Sequence, residues 1–240
     1  MCTVTYLPTP TGFILTSSRD EYDVRATLMP ATYKIKEQFL SFPKDVKAGG
    51  TWIAASEYNK VACLLNGAFE NFEPKENHIV SRGKILLDYF NYDTSEDFVK
   101  TVDCSHVAPF TLLMLDVKGK IKINQFRWDG DRKFIQSIDS QKPRIWASAT
   151  LYDKSIRDER KRWFTKWLSS NNNDDIKSFH LSDHTEDQAN NIVMKREAGL
   201  QTVSLTQIVK EQETFYMLYH DLKEKLNSKI DLPLCESVLL

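Results

Sequence analysis

The chain has 240 residues, of which 41% are hydrophobic, 27% charged and 11% aromatic, enough apolar material to bury a sizeable core. Lysine and arginine number 32 against 33 acids, and a net charge of −1 excludes a long-range field for gathering nucleic acid or an anionic membrane, leaving a small or neutral ligand as the favoured partner. No apolar run reaches the roughly 18 to 20 residues that cross a bilayer, and the first residues lack a basic segment followed by an apolar core, so no transmembrane segment and a cytoplasmic protein are expected.

Residues 2–7 and 13–18 flank a Pro8–Gly12 turn and predict a hairpin at the N-terminus. Gly49 and Gly50 mark a place of unusual dihedrals or close backbone approach. Next, 51–56 and 60–66 predict a second hairpin around Glu57, Tyr58 and Asn59. Helices are expected near 79–91 and over 95–103, the second opened by Thr94 with Asp97 three residues on.

Three strands follow at 109–116, 120–128 and 132–137, joined by the hairpin pairs Lys118-Gly119 and Asp129-Gly130, and RIWASA at 144–149 adds another. Ile156, Trp163, Phe164 and Trp167 recur at helical spacing over 153–169, and SSNNNDD then reads as a loop. Shorter helices are expected at 174–181 and 184–195, with His180 and His184 on a helix surface. A last hairpin pairs 202–208 with 214–220, and the tail beyond it has no clear pattern. Strands first, helices in the middle and strands again suggest two stacked antiparallel sheets with helices outside, in one domain over 1–240.

The four cysteines, Cys2, Cys63, Cys104 and Cys235, lack metal-ligand spacing, and no zinc-binding motif surrounds the histidines, so neither a metal nor a cofactor is expected. Cys2 follows the initiator methionine directly, and removal of Met1 would expose a residue that contains a nucleophile and a base together. An α-amine with a pKa near 7.7–8.0 can take a proton from a thiol near 8.5 with little penalty. A cysteine at position 2 also occurs by chance, so its neighbourhood decides.

That neighbourhood reads Ser18-Arg19-Asp20-Glu21, then Gly49-Gly50-Thr51-Trp52, then Leu64-Leu65-Asn66-Gly67. With Met-Cys at the start, this series resembles the NRDE family, also called the transport and Golgi organisation protein 2 family. The likeness is good over the first 70 residues and looser beyond. It implies an Ntn-hydrolase fold near the choloylglycine hydrolases and penicillin acylases, an α+β four-layer αββα sandwich. It further implies an amidohydrolase acting on a linear, non-peptide carbon–nitrogen bond, in which Cys2 attacks, Arg19 steadies the thiolate, Asp20 holds the new α-ammonium or a substrate amine and Asn66 donates to the oxyanion.

Taken alone, Arg19 reads equally as a surface arginine paired with Glu21 or Asp23, Asp20 as a turn aspartate and Asn66-Gly67 as a tight turn. Trp52 is the tryptophan placed to line a pocket. Two departures from the family pattern concern the substrate side: Ser148 stands where the family has an asparagine, and Gln201 where it has an arginine. These departures keep open a second reading, a non-catalytic binding or trafficking protein for haem or an acyl ligand on the same scaffold.

Overall fold

The computed structural model describes residues 3–170 and 175–233. Short polar turns between alternating apolar segments dictate a meander. β1 (Thr3–Thr9) and β2 (Gly12–Tyr22) form the first hairpin, and β3 (Thr27–Ile35) and β4 (Gln38–Asp45) the second. β5 (Ile53–Ser56) and β6 (Lys60–Asn66) turn at Asn59, whose φ of 61° is the left-handed value that asparagine tolerates. Helices α1 (Arg82–Tyr89) and α2 (Ser95–Thr101) precede β7 (Phe110–Asp116), β8 (Lys122–Trp128) and β9 (Lys133–Ile138). Then come β10 (Arg144–Ala147), α3 (Lys154–Ser170), α4 (Ile176–Leu181), β11 (Leu200–Glu211), β12 (Thr214–Asp221) and β13 (Asn227–Asp231).

One antiparallel sheet has the order β10-β1-β2-β11-β12-β13, and the other β3-β4-β5-β6-β7-β8-β9. Every strand pair in both is antiparallel. Alternation sends Val4, Tyr6, Phe13 and Leu15 inward against Ile53, Cys63, Leu65 and Leu113, which forms the core between the sheets. The opposite face of the second sheet packs Leu64, Leu112 and Phe126 on Leu86 and Phe98 of α1 and α2. The outer face of the first sheet places Leu7, Ile14 and Ile145 against Phe164, Trp167 and Phe179 of α3 and α4. Four layers result, helices outside and sheets within, as the resemblance implies. No helix among the described residues is long and apolar enough to cross a membrane.

Four expectations need correction. The strands β3 and β4 contain Pro30 and Pro43, which disguise them; Pro30 falls where the β3–β4 register shifts, and Pro43 lies beyond the short stretch, Leu40 and Ser41, that pairs with β5. Residues 184–195 are irregular rather than helical, because Asn191 Oδ1 accepts from the backbone N–H groups of His184 and Ile192, and Asp187 from that of Ala189. The unpatterned tail contributes β13. His180 is on a helix but wholly buried, where Thr5 Oγ1 meets Nε2 and Ser18 Oγ meets Nδ1, each at 2.8 Å. Burial first, then the charges of Arg160 and His184, push its pKa down to about 3.

Candidate active site

Alternation along β2 separates the residues singled out above. Ser18 and Asp20 face the helices, whereas Arg19 and Glu21 face the space between the sheets. Arg19 is 1% exposed, donates from Nη2 to Asp45 Oδ2 at 2.7 Å, and lies over Trp52 with its guanidinium carbon 4.6 Å from the ring centroid. Glu21 Oε2 is further off, at 3.9 Å from the same Nη2, and it is the burial of Arg19 that removes the surface-arginine alternative. Burial works to raise the Asp45 carboxyl, yet the Ala48 N–H and the Arg25 and Arg19 guanidinium groups outweigh it and hold that carboxyl below the usual range. Among the described residues Arg19 Nη1 is buried with no hydrogen-bond partner. A desolvated guanidinium N–H of this kind is suited to a thiolate or another anion.

Arg19, Trp52 and Asn66 line one small cavity of about 70 Å³, together with Ser81 and Gly83 at the start of α1. The glycines explain the close docking of that helix. A Cβ on Gly50 would stand 2.9 Å from the carbonyl carbon of Gly83, and one on Gly83 would stand 2.7 Å from the Thr51 oxygen. Asn66 ends β6, and Gly67 turns the chain with φ of +80°. The side-chain Oδ1 of Asn66 and the indole Nε1 of Trp52 are both buried without a hydrogen-bond partner among the described residues.

Ser148 follows β10, and its Oγ donates to the Asn66 carbonyl at 2.9 Å, beside the Ala149 N–H, which donates to the same oxygen at 3.2 Å. Its single proton is thereby engaged, and Thr150 Oγ1 lies 3.0 Å from the same hydroxyl. Ser148 thus joins the two sheets through the Asn66 main chain. Gln201, on β11, pairs with Glu21 of β2 and does not line this cavity. Cys2 lies outside the described residues. The first described residue, Thr3, sits between Ser18 on β2 and Ala147 on β10.

Asp20 is buried on the helix side. Its Oδ2 accepts from Tyr152 Oη at 2.7 Å and its Oδ1 from Thr202 Oγ1 at 2.6 Å. Arg160 of α3 stacks on the Tyr152 ring at 3.6 Å and donates to Thr3 Oγ1 and to the carbonyls of Asn190 and Asn191. This network ties the start of β1 to the helical layer. Sequence reasoning missed Asp45, Tyr152 and Arg160. Only Arg160 left a trace, as a cation four residues from both Ile156 and Phe164 in the apolar stripe of α3.

A second, larger cleft of about 650 Å³ opens between β8 and β9 on one side and β10 with the start of α3 on the other. Its wall includes Ala147, the strand partner of Thr3, and Arg160. Cys63 and Cys104 are poor nucleophiles: burial pushes the first thiol up to about 12 and the second up to about 11.

Residues 1–228 match the family described as Transport and Golgi organisation 2. A "Transport and Golgi organization protein 2" from Drosophila melanogaster is 30% identical over 123 residues, which cover 46% of this chain; the match spans 42% of the length of that relative. Two solved structures of mutant conjugated bile acid hydrolase from Clostridium perfringens superpose with TM-scores of 0.58 and 0.59, at 8% and 10% identity, covering 96% of this chain and 92% of theirs. An N-acylethanolamine-hydrolyzing acid amidase orthologue from Caenorhabditis elegans superposes with a TM-score of 0.55 and 13% identity, covering 87% of this chain and 92% of that one. At such identities the structures establish the fold, that of the Ntn hydrolases, and nothing finer.

Proposed function

The chain belongs to the Transport and Golgi organisation 2 family, and from that premise we propose that it is an N-terminal cysteine amidohydrolase acting on a linear acyl amide. The observation that supports this reading most is the meeting of Arg19, whose buried Nη1 has no hydrogen-bond partner among the described residues, and Asn66 at one small cavity. Structural neighbours named as a conjugated bile acid hydrolase and an N-acylethanolamine-hydrolyzing acid amidase share the scaffold.

In this mechanism removal of Met1 frees the Cys2 amine, which takes the thiol proton. The sulfur attacks the amide carbon, and the carbonyl electron pair moves onto oxygen, where the Asn66 side-chain N–H donates to it. Asn66 Oδ1 remains to accept from an amine N–H. The ammonium returns its proton to the leaving nitrogen as the carbon–nitrogen bond breaks, giving a thioester and a free amine. Water, deprotonated by the same amine, then attacks the thioester, releases the acid and regenerates the thiol. Arg19 would steady the thiolate, and Asp20, through Tyr152 and Thr202, would brace β2 from behind.

Intact mass after expression should show loss of one methionine, and mature protein should hydrolyse members of an acyl amide panel. Asn66→Ala should lower kcat by about 10² to 10³-fold, the usual effect of losing one oxyanion donor. Equal turnover by wild type and Cys2→Ala would refute the mechanism.

The engaged hydroxyl of Ser148 and the neutral Gln201 favour one second reading, a protein that holds an acyl or haem ligand without turning it over. Native mass spectrometry separates the two: an acyl adduct on Cys2 supports catalysis, and a co-purified ligand that survives Cys2→Ala supports carriage.

A further inference from the structure

The large cleft is unusual in its charge. Six cations line it, Arg127, Arg144, Lys154, Arg157, Arg160 and Lys161, against the three carboxylates Glu70, Asp153 and Asp158. Two of those carboxylates are occupied. Asp158 pairs with Lys161 at 2.8 Å, and Asp153 Oδ1 accepts the Ile156 N–H at the start of α3, at 2.9 Å. Arg127 and Arg157 stand on facing elements, β8 and α3, and neither forms an ion pair among the described residues. Arg127 Nε is buried without a hydrogen-bond partner, and its guanidinium carbon lies 4.9 Å from the Phe69 ring centroid. Burial and then the nearby Arg157 charge weaken its hold on its proton. Two cations brought together in a partly buried cleft repel unless an anion joins them.

Apolar surface adjoins these charges. Leu65, Ile138, Ile145 and Trp146 line the same cleft. The Trp146 indole N–H is taken by Gln125 Oε1 at 2.8 Å, so the ring offers only its apolar surface. Phe69, 42% exposed, meets Phe134 edge to face at 5.1 Å and makes an aromatic ledge at the rim.

We propose that the cleft binds an amphipathic acid, with its oxyanion, carboxylate or phosphate, held by Arg127 and Arg157 and its apolar body lying on Trp146, Ile138 and Phe69. Guanidinium groups grip both oxyanions through paired N–H donors. The volume of about 650 Å³ falls in the range of small-molecule sites. The inference rests on the proposed function only in treating the cleft as the substrate's place; the anion site itself does not require turnover.

Isothermal titration of the full chain with octanoate, octyl phosphate, 1-octanol and inorganic phosphate tests the proposal. At least one of the octyl acids should bind about tenfold or more tightly than octanol and inorganic phosphate, and the tighter of the two identifies the oxyanion. Arg127→Gln and Arg157→Gln should each weaken that acid about tenfold without changing octanol binding. The ligand-free melting temperature of Arg127→Gln should equal or exceed that of wild type, since an uncompensated cation is removed. Octanol binding as tightly as the acids, inorganic phosphate matching octyl phosphate, or unaltered acid binding in both variants would overturn it. Titrations repeated on Cys2→Ala keep the two claims apart: selective acid binding by a wild type that shows no hydrolysis sinks the catalytic mechanism alone.

Discussion

Lowering the pH from 7 to 5 should destabilise the protein through His180. In the fold this imidazole is wholly buried between Thr5 and Ser18, neutral, with one nitrogen donating and the other accepting, and its pKa is pushed down to about 3. In the unfolded chain it titrates near the ordinary 6.5. Below that value the unfolded state binds a proton that the folded state refuses, so stability falls with pH until about pH 3. At pH 5, about 1.5 units below 6.5, the loss relative to pH 7 is about 2 kcal/mol. The Asp45 carboxyl, held below the usual carboxylate range, stays ionised in this window; the downward shift at the partly exposed His78, from burial, Lys75 and Arg82, acts alike in wild type and variant. Urea unfolding at pH 7, 6 and 5, on wild type and His180→Gln, isolates the group. The variant should be less stable at pH 7, and its midpoint should fall less with acid, so the two stabilities converge by about 2 kcal/mol. Parallel curves would refute the argument.

Gly83→Ala should cost about 1–3 kcal/mol, because the new Cβ meets backbone atoms of Thr51 that cannot yield. The same change should alter Trp52 fluorescence as α1 shifts off the cavity, and an unchanged urea midpoint and spectrum would show that the helix is not docked so tightly. Tyr152→Phe removes a donor to the Asp20 carboxylate but keeps the ring beneath Arg160, and should cost about 1.5–3 kcal/mol by thermal unfolding. A melting temperature equal to that of wild type would mean that Asp20 does not depend on that hydroxyl.

Local signals were legible where turn chemistry and alternation agree. Asn59, Gly119 and Gly130 adopt the positive φ values that their hairpins need, and Thr94 Oγ1 accepts the Asp97 N–H, as its spacing implies. Gly50 shows the close approach read from the sequence, against Gly83. The prolines of β3 and β4 hid two strands, because a missing N–H matters only where a neighbour would accept it, and pairing partners are not written locally. Asn191 defeats the helical reading of 184–195 in the same way, by offering its own amide to nearby backbone. For the candidate site, motif order picked out Arg19, Trp52 and Asn66, which share a cavity. It could not indicate that Asp20 faces away from them, since strand parity depends on which sheet face is covered, nor that Asp45 would receive Arg19 from another sheet.

The strands β9 and β10 are each the last strand of their sheet, and the chain steps between them from one sheet to the other. Both border the large cleft. Its mouth is therefore a gap between two selvedges and not a hole cut through a fabric. A visiting molecule can slip in without any ladder of main-chain bonds having to part, and the two layers can keep their alignment, stitched at Ser148 and Asn66, while the guest comes and goes.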